Sequence, residues 1–191
     1  MTGNEEIREN LTDILGFEQQ ALERIERQAR DERVRKFENA YEALEKIEAV
    51  LHSHIRELER HLSTLDGGFE ARLKKAATSI AGSFAGIYDR LRTNGPVSKS
   101  LRDDYTLLNL AVISYGMLNT AALAFAETQI ASMAERHMNG LTPLIVELSD
   151  IIPFVFAGEL AGKGRIEDGA VAQQAAAQYR QAWRREVTMK V

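Results

Sequence analysis

Residues 105–126 read YTLLNLAVISYGMLNTAALAFA, a run of 22 without a charged side chain, and its reading decides the fold. About 20 apolar residues suffice to carry a helix across a bilayer. Asn109, Ser114, Tyr115, Asn119 and Thr120 interrupt the run on several faces, however. Arg102, Asp103 and Asp104 precede it and Glu127 follows, so no cluster of Lys or Arg on either side sets an orientation. A helix apolar all round is also what the centre of a helical bundle requires. The balance points to a buried helix of a soluble protein, with a membrane span as the weaker reading.

Outward from this run, the chain reads as helix nearly throughout, because apolar residues recur at three- and four-residue spacing. Ile7, Leu11, Ile14, Ala21, Ile25 and Ala29 form one stripe with Glu18 in its middle. The mixed-charge residues 30–36 read as a solvated turn. A second helix carries Phe37, Tyr41, Leu44, Ile47, Leu51, Leu58, Leu62 and Leu65, bordered by His54 and His61, and stops at Gly67-Gly68. A shorter amphipathic helix at about 69–92 serves as a crossover and ends at Asn94-Gly95-Pro96. Ser98 or Ser100 is the expected cap of the helix that contains the charge-free run. The fourth long helix starts near Glu127 with Ile130, Ala134, His137, Leu141, Ile145, Leu148 and Ile152 as its stripe. Pro143 should kink this helix and Pro153 should end it. Gly158, Gly162, Gly164 and Gly169 then make a joint before an Ala/Gln-rich arm with Val171, Ala175, Tyr179, Ala182 and Trp183 at helical spacing. The expected architecture is all-α: a four-helix bundle over 1–157 and a joint plus C-terminal helix over 158–191.

Composition narrows the function classes. The hydrophobic fraction is 45% over 191 residues, enough for one continuous core. A net charge of −4 with both signs interspersed argues against a nucleic-acid surface, which needs a basic stripe to release counterions. Cysteine is absent, which excludes disulfides, thiolate metal sites and cysteine nucleophiles and suits a reducing compartment. Glu5, Glu6 and Glu9 stand where a secretion signal would be basic and then apolar, so a cytoplasmic location is expected. No phosphate loop or serine–histidine–aspartate arrangement emerges. Glu48/His52 and Glu57/His61 lie four apart and read as surface pairs. Met117, Met133 and Met138 read as core packing.

The chemistry-bearing residues face inward. A carboxylate on an apolar stripe, Glu18, costs several kcal/mol unless it is protonated, paired or bound to metal. His54 and His137 point inward from the second and fourth long helices, at comparable depth if those helices are antiparallel.

This order of helices with a long crossover resembles the ferritin-like superfamily, which holds rubrerythrins, bacterioferritins and related bacterial stress proteins. Such proteins place a Glu on each of two helices and a Glu-x-x-His pair on each of the other two. Glu18 matches the first carboxylate. The run from Leu51 to His54, followed by Leu58, Leu62 and Gly67-Gly68, resembles one Glu-x-x-His segment with Leu51 in the carboxylate's place. Ala111 stands where the third helix would supply its glutamate, and Ala134 begins the second pair, which keeps only His137. The resemblance covers roughly residues 5–155. It implies a structural, stress-associated or partner-binding bundle without an intact di-iron centre, not an enzyme, and without a cofactor. The alternative is a metal-binding protein or oxidoreductase that holds a single iron or zinc ion on Glu18, His54 and His137. Against both stands a plain buried salt bridge that sets helix register. The uncovered apolar helix points to a homodimer or a dimer-based oligomer. Trp183, flanked by Arg180, Arg184 and Arg185, suits either a protein partner or an end-cap on its own bundle.

Overall fold

The computed structural model describes residues 3–65, 95–166 and 170–183. Six helices pack together and no strand occurs among the described residues: α1 (Gly3–Ala29), α2 (Glu32–Arg35), α3 (Glu38–Leu65), α4 (Val97–Ala124), α5 (Thr128–Ala161) and α6 (Ala170–Trp183). The crossover helix expected at 69–92 and the Gly67-Gly68 stop lie outside the described residues.

Side-chain pairs give the direction of each long helix. Glu18 meets His54 and Glu26 meets His52, so α1 and α3 are antiparallel. Tyr115 reaches Glu18 while Asp104 reaches Arg24, so α4 is antiparallel to α1. Glu57 meets His137 and Lys46 meets Glu147, which sets α5 antiparallel to α3. α3 and α4 therefore run the same way, and the chain leaves α3 at one end of the helices and enters α4 at the other.

One core fills the space between these helices. Leu11, Ile14 and Leu15 of α1, Leu44, Ile47, Leu51 and Leu58 of α3, Leu101 and Leu108 of α4, and Leu141 and Leu148 of α5 are fully buried in it. Removing a Leu or Ile of this kind costs about 2–5 kcal/mol, because the lost transfer energy adds to the cavity left behind. The charge-free run forms α4 from Tyr105 to its end at Ala124 and the two residues after it. One side of it packs in the core through Leu107, Leu108, Ala111, Tyr115, Leu118 and Ala122, while Ile113, Met117 and Leu123 are exposed. By length and composition α4 could cross a membrane, and one third of its most apolar window is buried against the other helices.

Several local expectations are corrected. Residues 30–36 are not all turn: α2 forms there, capped by the Asp31 side chain on the Arg33 amide, and it buries Val34. Neither Ser98 nor Ser100 caps α4. The helix starts after Pro96, whose fixed φ suits a helix entrance, and the Glu159 carboxylate accepts from the Ser98 amide and hydroxyl. Pro153 does not end α5, which continues to Ala161. A proline removes one backbone hydrogen bond, and the burial of Val155 and Ala157 beyond it offsets that loss. The glycine joint is accordingly shorter. Gly158 is helical, and a Cβ there would stand 2.7 Å from a Phe37 ring carbon, so the close approach of α5 to that ring requires glycine. The turn follows at Gly162–Gly164, with Gly164 at φ 65°. On α6 the buried residues are Ala172 and Ala176, so the inward face is rotated by one residue from the expected Val171/Ala175 stripe. Met133 is core as expected, whereas Met117 is 59% exposed.

Candidate functional site

All four long helices send a polar side chain to one layer of the core. Glu18 comes from α1, His54 from α3, Tyr115 from α4 and His137 from α5, and each is less than 9% exposed. Glu57, one turn beyond His54, closes the layer at its rim. The three inward residues read from the sequence thus meet, and the structure adds Tyr115 and Glu57 to them.

Four hydrogen bonds link the five groups in a chain. His54 Nδ1 lies 3.0 Å from Glu18 Oε1, and Tyr115 Oη lies 2.9 Å from the same oxygen. His137 Nδ1 lies 2.8 Å from Tyr115 Oη, and its Nε2 lies 3.1 Å from Glu57 Oε2. The other Glu57 oxygen accepts from Arg136 at 2.8 Å and Arg60 at 2.9 Å. The His54 and His137 rings stack with centroids 3.7 Å apart and planes 4° from parallel.

With His137 neutral, counting hydrogens gives this chain one consistent charge state. Burial pushes Glu57 up, but hydrogen bonds from His137 and Arg136 outweigh it and hold the carboxyl below its ordinary range, so Glu57 is ionised. An ionised carboxylate only accepts, so the hydrogen between Glu57 and His137 sits on Nε2. Burial, then the neighbouring His54, lower His137 to about 4, which leaves it neutral with Nδ1 bare. Tyr115 must then donate to His137. Tyr115 donates to Glu18 Oε1 if that carboxyl is ionised; with the single Tyr115 hydrogen committed to a neutral His137, the direction reverses and Glu18 donates as a neutral carboxylic acid. Burial raises Glu18 in the same direction, against the pull of His54 and Tyr115. The second Glu18 oxygen, Oε2, is buried with no hydrogen-bond partner. A carbonyl oxygen tolerates that far better than half of a carboxylate does. The competing arrangement holds the same number of protons, with Glu18 ionised and His137 an imidazolium.

A second buried carboxylate, not read as interior from the sequence, lies further along α1 and nearer the start of α4. Asp104 is fully buried; Arg24 Nε donates to it at 3.1 Å and Gln28 Nε2 at 2.6 Å. Burial pushes Asp104 up to about 6, with Arg24 and Gln28 opposing. At the surface Glu26, Glu48 and His52 bring three ligand-type atoms within 4.8 Å of one another, an arrangement common among exposed acidic groups.

The layer does not fit a pair of irons. Leu51, Ala111 and Ala134, at the three positions where the family pattern would place carboxylates, are buried apolar core residues. Glu57 brings the carboxylates in the layer to two, but two guanidinium groups sit on it and repel a cation. A single ion shared by His54 and His137 needs a rearrangement. A nitrogen lone pair lies in its ring plane, and two parallel planes separated by a stacking distance have no point in common. One ring would have to turn.

Compared with known proteins, the chain matches no family model, no curated protein and no solved structure.

Proposed function

We propose that this chain is a ferritin-like four-helix bundle without its di-iron centre, acting as a non-catalytic structural or partner-binding protein, stress-associated and cytoplasmic like the proteins it resembles. The observation that carries the reading is the polar layer itself. Each of the three retained ligand-type residues is hydrogen-bonded to another protein side chain, and the carboxylate positions of the family pattern hold packed Leu and Ala. The directions of the helices support the bundle assignment, since parallel α3 and α4 require the long connection that ferritin-like topology has. In this reading the layer's role is specificity. Four polar groups from four helices can bond one another in one register only, and a slipped helix would strand several of them. The working form is a homodimer, because the described residues leave an apolar strip of α4 uncovered.

The test is elemental analysis of protein purified without chelators, followed by anaerobic loading with ferrous iron and with zinc. The expected result is substoichiometric metal that gel filtration removes. One ion per chain, lost in Glu18→Ala and His54→Ala, contradicts the proposal and establishes the second reading, a mononuclear metal protein. The unpartnered Glu18 Oε2 favours that second reading, since a ligand could occupy it.

A further inference from the structure

The exposed side of α4 differs from the outward faces of α1 and α3, which are charged. α1 shows Glu9, Glu23 and Arg27 to solvent and α3 shows Glu45, Lys46, Arg56 and Arg60, while α5 mixes Glu135 and Arg136 with exposed Val146, Phe154 and Phe156. α4 shows Ile113 at 65% exposure, Met117 at 59% and Leu123 at 64%, together with Thr120 and Ala124. Residues 113, 117, 120 and 124 follow helical spacing, so they form one strip along one side. α6 packs on α5 and reaches α4 toward its other end, where the Tyr179 and Tyr105 hydroxyls stand 3.5 Å apart, and it leaves this strip uncovered.

We propose that this strip packs antiparallel against the same strip of a second copy, with Met117 of each chain seated over Gly116 of the other. The proposal rests on the dimer reading above and names its surface. A two-fold axis brings every residue near it against its own copy or a close neighbour, so such a surface must be self-complementary and free of like charge. The run 105–126 contains no charge to repel itself. Placing the axis between residues 116 and 117 pairs Met117 with Gly116, Ile113 with Thr120, and Leu110 with Leu123. Large side chains then fall opposite small ones at the two pairs nearest the axis. The space over Gly116 is open: a Cβ built there meets only the Met138 sulfur, at an ordinary 3.9 Å. Burying Ile113, Met117 and Leu123 puts apolar side chains at the centre of the contact, where protein interfaces are most apolar.

The chain has no cysteine, so single cysteines can be placed without background. Light scattering on the full chain at micromolar concentration measures the dimer, and a short bismaleimide measures the face. The expected outcome is a dimer in which Met117→Cys cross-links efficiently and Val146→Cys, on an exposed position of α5, does not. A Gly116→Leu variant, which adds a better helix former and so does not weaken the helix, should keep its helical circular dichroism while the dimer dissociation constant rises at least tenfold. A dimer that leaves Met117→Cys unlinked, or that Gly116→Leu leaves intact, overturns the proposed face and spares the dimer reading. A wild-type monomer overturns both, and then residues 66–94 or 184–191 of the same chain are the occupants to examine.

Discussion

Among the described residues the core holds two fully buried carboxylates, and they are handled in opposite ways. Asp104 faces Arg24, a cation that does not lose its proton, plus one amide donor. Glu18 faces a histidine and a tyrosine, both able to be neutral. Arginine fixes a charge pair in place. Histidine and tyrosine instead let the buried acid keep its proton, and the layer's negative charge stays on Glu57, at the rim beside Arg136 and Arg60. The lesson is that burial alone does not set the state of a carboxylate; the protonation freedom of its partners does. One layer is a buried ion pair; the other holds its buried acid neutral and keeps the carboxylate charge at the rim.

Substitutions should separate the two layers. Asp104→Leu strands the Arg24 guanidinium, and the expected loss at pH 7 is about 3–5 kcal/mol by chemical denaturation. A loss under about 1 kcal/mol would mean that Arg24 reaches solvent. The next effect is a pH dependence. His137 sits at about 4 in the folded chain against an ordinary 6.5, so below 6.5 the unfolded chain binds a proton that the folded one does not. Its contribution to stability is present above 6.5 and is lost as pH falls toward 4. Wild type should therefore lose roughly 2–4 kcal/mol relative to His137→Gln over that window, while the Asp104 and Glu18 contributions cancel in the comparison. Urea denaturation of both proteins at several pH values checks this, and parallel curves would contradict a neutral His137.

Tyr115→Phe removes the hydroxyl that joins Glu18 to His137. The expected cost is about 1–3 kcal/mol, set by the polar atoms left unsatisfied rather than by lost packing. Smallest is Glu18→Gln, which imitates the neutral acid and should cost about 1 kcal/mol. If Glu18 were instead ionised against a charged His137, the same change would approach the cost of Asp104→Leu.

Much of this was legible in the sequence. The four long helices follow from apolar spacing, and Glu18, His54 and His137 stand out because a titratable group on an apolar stripe is unusual. Tyr115 reads in the sequence only as one of the polar interruptions of the apolar run, and nothing local shows that its hydroxyl has buried partners. Glu57 read as a surface partner of His61, four residues on; its stronger bond is to His137, 80 residues away, which no local pattern reveals. Asp104 was taken as a flanking charge because it adjoins Asp103, although it lies three residues from both Leu101 and Leu107 on the buried face. The rotated face of α6 and the passage of α5 through Pro153 were both decided by packing against other helices, which outweighs local preference.

The most direct test is the carbon NMR signal of the Glu18 side-chain carboxyl at pH 7, assigned by its loss in Glu18→Gln. A protonated carboxyl that titrates only well above the ordinary glutamate range is the expected result. A carboxylate signal at pH 7, with both His137 nitrogens protonated, would show that the interior layer is an ion pair and contradict the account.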